Sequence, residues 1–269
     1  MITEEEIDLL ATDLFDLYGY DFTQYARASL KRRIVRLCSL DKLPSFAELR
    51  YRLRSDPTYL TRFVEEVTVN VTEMFRDPQF YRTLRTEVLQ TLNAKPFIRI
   101  WHAGCSTGEE VFSMAILLSE VNLLAKSLLY ATDLNANVLL TARKGIFALA
   151  PMKQYSENYV QSGGVRDFSS YYTAQYNHVK FNDELAQRMV FSTHNLVSDG
   201  SFNEFDIILC RNVLIYFDKS LQDRVLTLFD ASLGPLSYLA LGGKETLKFS
   251  SIQSKFRQVG NEKIWRKIA

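Results

Sequence analysis

The chain has 269 residues, 47% hydrophobic and 23% charged, enough to bury a sizeable core in one large domain or in one medium and one small domain. It starts Met1-Ile-Thr-Glu-Glu-Glu, without the basic start and apolar run of a signal peptide, and no apolar stretch matches a bilayer span, so a cytoplasmic protein without membrane insertion is expected. Cys38, Cys105 and Cys210 fit neither a disulfide framework nor a Cys-x-x-Cys site, and His102, His178 and His194 stand without companions at ligand spacing, so no metal is expected.

The formal net charge of +1 conceals a polarised front end. Residues 1–26 carry seven acidic side chains and no lysine or arginine, whereas 27–62 carry ten basic side chains against Asp41, Glu48 and Asp56. Such asymmetry means either two faces that neutralise each other or a basic surface that meets an acidic partner. Gly19 is the only glycine before Gly104, and the stretch before Phe97 reads as helices, with Pro44, Pro57 and Pro78 at helix starts. A helix over Ser29–Leu40 puts Leu30, Ile34 and Leu37 on one side and Arg32 and Arg36, with Arg33 adjacent, on the other. A solvated face is the ordinary use of such charges, but the wider basic run favours recognition. No recognition-helix, zinc or base-stacking signature accompanies it, so nucleic acid is not the expected polyanion.

From Phe97 onward the pattern becomes short β-rich runs (Phe97–Trp101, Leu128–Ala131, Phe205–Cys210, Leu236–Leu241) separated by helical stretches such as Glu109–Ala125 and Ser220–Leu233. Strands alternating with helices predict a mainly parallel, doubly wound α/β sheet. Between Asp167 and Ser192 the Tyr/Val/Phe-rich segments Ser170–Ala174, His178–Phe181 and Met189–Phe191 lie too close together for helical crossovers, which predicts a small antiparallel insertion.

The strongest local signal is the run from Ile98 through Ala103, Gly104 and Gly108 into Glu109-Glu110, a strand, a glycine turn and a helix start where a nucleotide-like ligand docks. Carboxylates there repel a pyrophosphate but suit a cation without phosphates, favouring S-adenosylmethionine over NAD; helix capping is their plainer use. Asp133 ends the next strand, placed either to accept from ribose hydroxyls or to cap the helix that begins near Asn135. The strand Phe205–Cys210 opens into Arg211, Asn212 and Tyr216, bringing a cation, an amide and a phenol to the carboxyl edge of the sheet.

Four segments, Asn70-Val-Thr-Glu-Met-Phe-Arg-Asp77, Ala103-Gly-Cys-Ser-Thr-Gly-Glu-Glu110, Ala131-Thr-Asp133 and Cys210-Arg-Asn-Val-Leu-Ile-Tyr-Phe-Asp218, together resemble the CheR family of chemotaxis receptor methyltransferases across nearly the whole chain. The resemblance implies a Rossmann-like methyltransferase sheet with a small antiparallel insertion at about 167–192, in a domain spanning 77–269. A small all-α domain, 1–76, would precede it and recognise substrate. Asn70, Thr72 and Arg76 would close over S-adenosylmethionine from the linker, and Ala103, Gly104, Glu110, Asp133, Asn195, Leu196, Arg211 and Asn212 would line the rest of its site.

The implied reaction is attack of a receptor glutamate carboxylate on the sulfonium methyl, leaving S-adenosylhomocysteine and a methyl ester. Arg76 and Tyr216 would be its catalytic residues, with an interdomain salt bridge and a core aromatic as their structural alternatives. Arg32, Arg33 and Arg36 would read the acidic cytoplasmic domain of the receptor. Gly234-Pro-Leu-Ser and Gly242-Gly-Lys-Glu245 depart from the family's Pro-Gly-Gly turn and Gly-x-Ser-Glu, which puts substrate choice in doubt more than cofactor binding. The hairpin Tyr172–Phe181 lacks glycine, and capture of a receptor tail peptide by strand addition there is left undecided. The same fold acting on another acidic substrate, or a catalytically silent S-adenosylmethionine-binding adaptor, are the competing functions.

Overall fold

Apolar residues at helical spacing assemble the front of the chain. In the computed structural model, which describes residues 2–68 and 70–268, Ile7, Leu10, Ala11 and Leu14 form one face of α1 (Glu4–Tyr18). They bury against Leu30, Ile34 and Leu37 of α2 (Arg27–Leu40), Leu49 and Leu53 of α3 (Phe46–Ser55), and Phe63, Val64 and Val67 of α4 (Pro57–Val67). Met1, Val69 and Ala269, which fall within the expected domain ranges, lie outside the described residues. Local chemistry sets the helix ends: Thr3 and Glu6 form a capping box, Gly19 closes α1 in the left-handed region, and Ser45 and Asp56 cap α3 and α4.

Of the two readings of the charge polarity, mutual neutralisation accounts for part of the basic run. Lys31 pairs with Glu4 at 3.3 Å, Arg27 pairs with Asp8, and Arg50 and Arg54 both reach Asp13, so the acidic α1 neutralises much of the basic run. Arg36 lies 3.7 Å from Glu66. Among the described residues, Arg32 and Arg33 form no ion pair.

The remaining chain alternates strands and helices: α5 (Pro78–Thr83), β1 (Ile98–Ala103), α6 (Glu109–Glu120), β2 (Ser127–Asp133), α7 (Ala136–Lys144), β3 (Ile146–Ala148) and α8 (Met152–Gln161). There follow β4 (Tyr172–Gln175), β5 (His178–Phe181), α9 (Asp183–Ala186), β6 (Met189–Thr193), β7 (Phe205–Cys210), α10 (Lys219–Ser232), β8 (Leu233–Leu241), β9 (Phe256–Gln258) and β10 (Ile264–Lys267). Seven strands form one sheet in the order β6-β2-β1-β7-β8-β10-β9, parallel from β6 to β8. Helices cover it, as the long apolar runs of β1 and β7 require. No helix among the described residues is long and apolar enough to cross a membrane.

The antiparallel insertion differs in composition from the expectation. Met189–Phe191 belongs to the main sheet as β6, parallel to β2, because α9 and the turn after it carry the chain back to the outer edge. The insertion's third strand is instead β3, directly after Gly145, giving the order β3-β5-β4. Its hairpin forms without glycine: Gln175 pairs with His178, and Tyr176 takes the left-handed conformation at φ 53°.

The departure at Gly234-Pro-Leu-Ser also has a physical shape. Phe205 pairs with Leu233 and Ile207 with Tyr238, so Gly234–Ser237 bulge out of β8, and Leu236 holds φ 60° with its side chain 56% exposed. A left-handed leucine costs about 1–2 kcal/mol, partly offset on substitution by the greater chain entropy of glycine. Leu236→Gly is therefore expected to raise unfolding free energy by about 0.5–1 kcal/mol in urea titration, whereas the β-branched Leu236→Val lowers it. A stabilising valine would disprove backbone strain at this bulge.

Candidate active site

The strand order reverses at β1, with β2 on one side and β7 on the other, and a cleft opens at their carboxyl ends. Its walls come from the linker, the turn after β1, the tip of β2 and the loops after β6 and β7. Of the residues selected for a cofactor, Asn70, Thr72, Arg76, Gly104, Glu110, Asp133, Asn195, Leu196, Arg211 and Asn212 all line it. Ala103 does not, being buried beneath it in β1.

Gly104 is required twice over. It holds φ 82°, and a Cβ there would stand 2.5 Å from Cγ2 of Val213, so the turn after β1 and the loop after β7 approach as only glycine permits. The Gly104 and Cys105 N–H groups donate to the Thr132 carbonyl, locking that turn to the tip of β2.

Asp133 faces the cleft while accepting from the Ser106 N–H at 2.9 Å and the Asn135 N–H at 3.0 Å. Asn135 itself caps α7. Burial raises the Asp133 carboxyl above its ordinary value, opposed by the N–H groups of Asn135, Ser106 and Leu134. Asn195 organises its own turn, its Oδ1 accepting from the Val197 N–H, and presents Leu196 to the cleft.

The two glutamates at the start of α6 part company. Glu109 is buried and accepts from the Thr107 hydroxyl, outside the cleft. Glu110 lines the cleft, with Oε1 2.9 Å from His102 Nδ1 and Oε2 accepting from Arg211 at 3.2 Å. Burial opposes its ionisation, but His102 and Arg211 outweigh burial and hold its carboxyl below the ordinary value. Arg211, 3% exposed along its side chain, donates further to the Arg76 carbonyl at 3.0 Å and Asp77 at 2.6 Å and lies 4.1 Å over the Phe80 ring. Its guanidinium thus clamps the linker to the sheet as well as facing the cleft.

Arg76 and Tyr216 both line the cleft. No ion pair engages Arg76 among the described residues. Burial raises the Tyr216 phenol, and the positive charges of Arg33, Arg76 and Arg32 oppose that rise. Of the three arginines expected to recognise substrate, Arg32 and Arg33 act on this phenol through their charge and do not line the cleft. Arg36 is 62% exposed beside Glu66.

Residues from the helical part complete the cleft unanticipated: Tyr25, Ser29 and Leu30 line it, with Leu134, His194 and Phe217. The Ala26 N–H donates to the Tyr216 carbonyl at 2.8 Å, the Asp218 N–H donates to the Gln24 carbonyl at 2.9 Å, and the Tyr25 and Phe217 rings pack 5.1 Å apart. The only sequence trace of this seam is an aromatic in each partner segment.

Arg211→Met should be strongly destabilising, by about 3–5 kcal/mol in chemical denaturation at neutral pH, because it leaves Glu110 buried without its cation. A depressed native pKa contributes stability above the unfolded-state value of the carboxyl and loses it as pH falls through the native value. The deficit should therefore shrink toward acid. A deficit independent of pH would show that the ion pair does not account for it.

The comparisons with known proteins agree with this geometry. The model of the CheR methyltransferase all-alpha domain matches residues 5–68, and that of the CheR methyltransferase SAM binding domain matches 70–264. A Pseudomonas putida protein bearing the methyltransferase name Cher3 is 43% identical, over 98% of this chain and 97% of its own. Chemotaxis protein methyltransferase 2 of Pseudomonas aeruginosa is 31% identical, covering 93% and 89% of the two chains. Chemotaxis protein methyltransferase 1 of Vibrio cholerae is 34% identical, covering 73% and 71%. The chain belongs to the CheR family of chemotaxis methyltransferases, with S-adenosylmethionine as its methyl donor.

Proposed function

We propose that the protein methylates glutamate side-chain carboxylates in the cytoplasmic domain of a chemotaxis-type receptor, forming glutamyl methyl esters. The observation that carries this reading is that Arg76 and Tyr216 share the wall of the cleft, while the positive charges of Arg32 and Arg33 on α2 also act on the Tyr216 phenol. Three cations without ion-pair partners among the described residues suit an incoming carboxylate better than a neutral acceptor.

The cleft suits the donor at its other end. Asp133, Glu110 and Glu73 line it, giving it a carboxylate-bearing wall for a cationic ligand. S-adenosylmethionine supplies an electrophilic methyl on sulfonium sulfur when bound. Asp133 keeps lone pairs for ribose hydroxyls while its N–H partners hold it in place, and Asn70, Thr72 and Arg76 cover the ligand from the linker.

A glutamate side chain is already ionised at neutral pH, so no general base is needed. Arg76 orients the carboxylate by charge-assisted hydrogen bonds, and Tyr216 fixes its approach. Alignment of this kind supplies several kcal/mol, with ~7–11 kcal/mol the upper range for well-oriented reactants. In this reading residues 1–76 form the recognition domain and 77–269 the catalytic domain.

Transfer of labelled methyl to a panel of receptor cytoplasmic domains should occur, and mild base should release the label as methanol. A base-stable product would assign another acceptor, and S-adenosylhomocysteine binding without transfer across the panel would favour the adaptor. Tyr216→Phe should lower kcat while leaving S-adenosylhomocysteine affinity within a few fold. Equal loss of both would make Tyr216 a packing residue.

Recognition is tested separately. Arg32→Glu with Arg36→Glu should raise KM for the receptor domain without changing cofactor affinity, and the effect should fade at high salt because exposed charges act at long range. Wild-type methylation by this double variant at low salt would leave these arginines as a solvated face.

A further inference from the structure

Glu245 lies outside the cleft, 5% exposed, beneath the loop that follows β7. Its Oε2 accepts from the Asn212 N–H at 3.0 Å and from the Gly242 N–H at 2.6 Å. The Glu245 N–H donates in turn to the Gly242 carbonyl at 2.9 Å. One carboxylate oxygen thus joins the end of β8 to the first turn beyond β7.

That turn needs holding. Asn212 is left-handed at φ 62°, a conformation that asparagine tolerates better than most residues but that persists where the surroundings hold it. The same short loop carries Arg211, Asn212, Val213 and Tyr216, all of which line the cleft. The seat is closely fitted: a Cβ on Gly242 would stand 2.8 Å from both the Asn212 nitrogen and Glu245 Oε2. Gly242 has no left-handed φ, so space alone demands glycine there.

From this geometry we infer that Glu245 is a positioning residue: its carboxylate sets the loop Arg211–Tyr216 in the conformation that presents Asn212 and Tyr216 to the cleft. It touches neither donor nor acceptor and works through backbone N–H groups. The departure of Gly242-Gly-Lys-Glu245 from the family's pattern therefore leaves the working parts of that segment, Gly242 and Glu245, in place. Burial raises the Glu245 carboxyl, and the N–H groups of Gly242, Asn212, Leu214 and Ile215 oppose the rise, consistent with a carboxylate enclosed by backbone donors. Its Oε1 makes no hydrogen bond, so Oε2 is the acceptor that a glutamine amide oxygen has to replace.

Three variants of the full chain separate acceptor from packing: Glu245→Gln keeps an acceptor oxygen, Glu245→Met keeps volume alone, and Gly242→Ala crowds the seat. Affinity for S-adenosylhomocysteine, read by calorimetry, should fall at least tenfold in Glu245→Met and Gly242→Ala and stay within threefold of wild type in Glu245→Gln. Thermal unfolding without ligand shows whether each variant is folded. The readout does not depend on the identity of the methyl acceptor, so failure of the receptor assay leaves this test intact. Equal affinities for the Gln and Met variants would overturn the inference, as would wild-type affinity in a folded Gly242→Ala.

Discussion

A buried guanidinium has to be paired, and the pairing of Arg211 dictates how the rest of the site is assembled. It extends from the end of β7 to Glu110 at the start of α6, to the Arg76 carbonyl and to Asp77, and it rests on Phe80 of α5. Removing one member of such a set costs far more than the set contributes relative to an apolar replacement, so it fixes geometry more than it adds stability. The linker follows the path this cation allows. Phe75 and Asp77 take left-handed conformations at φ 51° and 60° on either side of Arg76, and the clamp holds that turn closed beside the cleft.

The helical part is joined to the sheet by backbone rather than by charge. Ala26 and Gln24 bond the main chain around Tyr216, and α2 begins at the next residue, Arg27. The direction of α2, and with it the placement of Arg32 and Arg33, is therefore tied to the loop that carries Tyr216. The acids of α1 take up Arg27, Lys31, Arg50 and Arg54 elsewhere on the helical part. Charge that stabilises the helices is in this way kept apart from charge that faces the cleft.

His102 and Glu110 carry the same logic inward. Glu110 is an acid in the wall of the cleft proposed to hold a cationic ligand, yet both of its oxygens have protein partners. Its charge is held in place before any ligand arrives, which lowers the cost of orienting it afterward.

Much of this protein was legible in its residues alone. The 3.6-residue spacing of Leu30, Ile34 and Leu37 determines a helix, the apolar run Phe205–Cys210 a buried strand, and Gly104 with Gly108 a turn that only glycines can make. Helix and strand periodicity records a packing face directly, and the left-handed φ of the glycines is a local demand of the backbone. Tertiary structure decided what depends on partners distant in sequence: that Met189–Thr193 joins β2 rather than the insertion, that Glu110 and not Glu109 faces the cleft, and that Tyr25 lines it. It also decided that Arg36 sits beside Glu66 while Arg32 and Arg33 form no ion pair among the described residues. Glu245 shows the reason most plainly, since an acid in a glycine-rich turn has no periodicity to betray it, and its role arises only where β8 brings it beneath a loop 33 residues earlier.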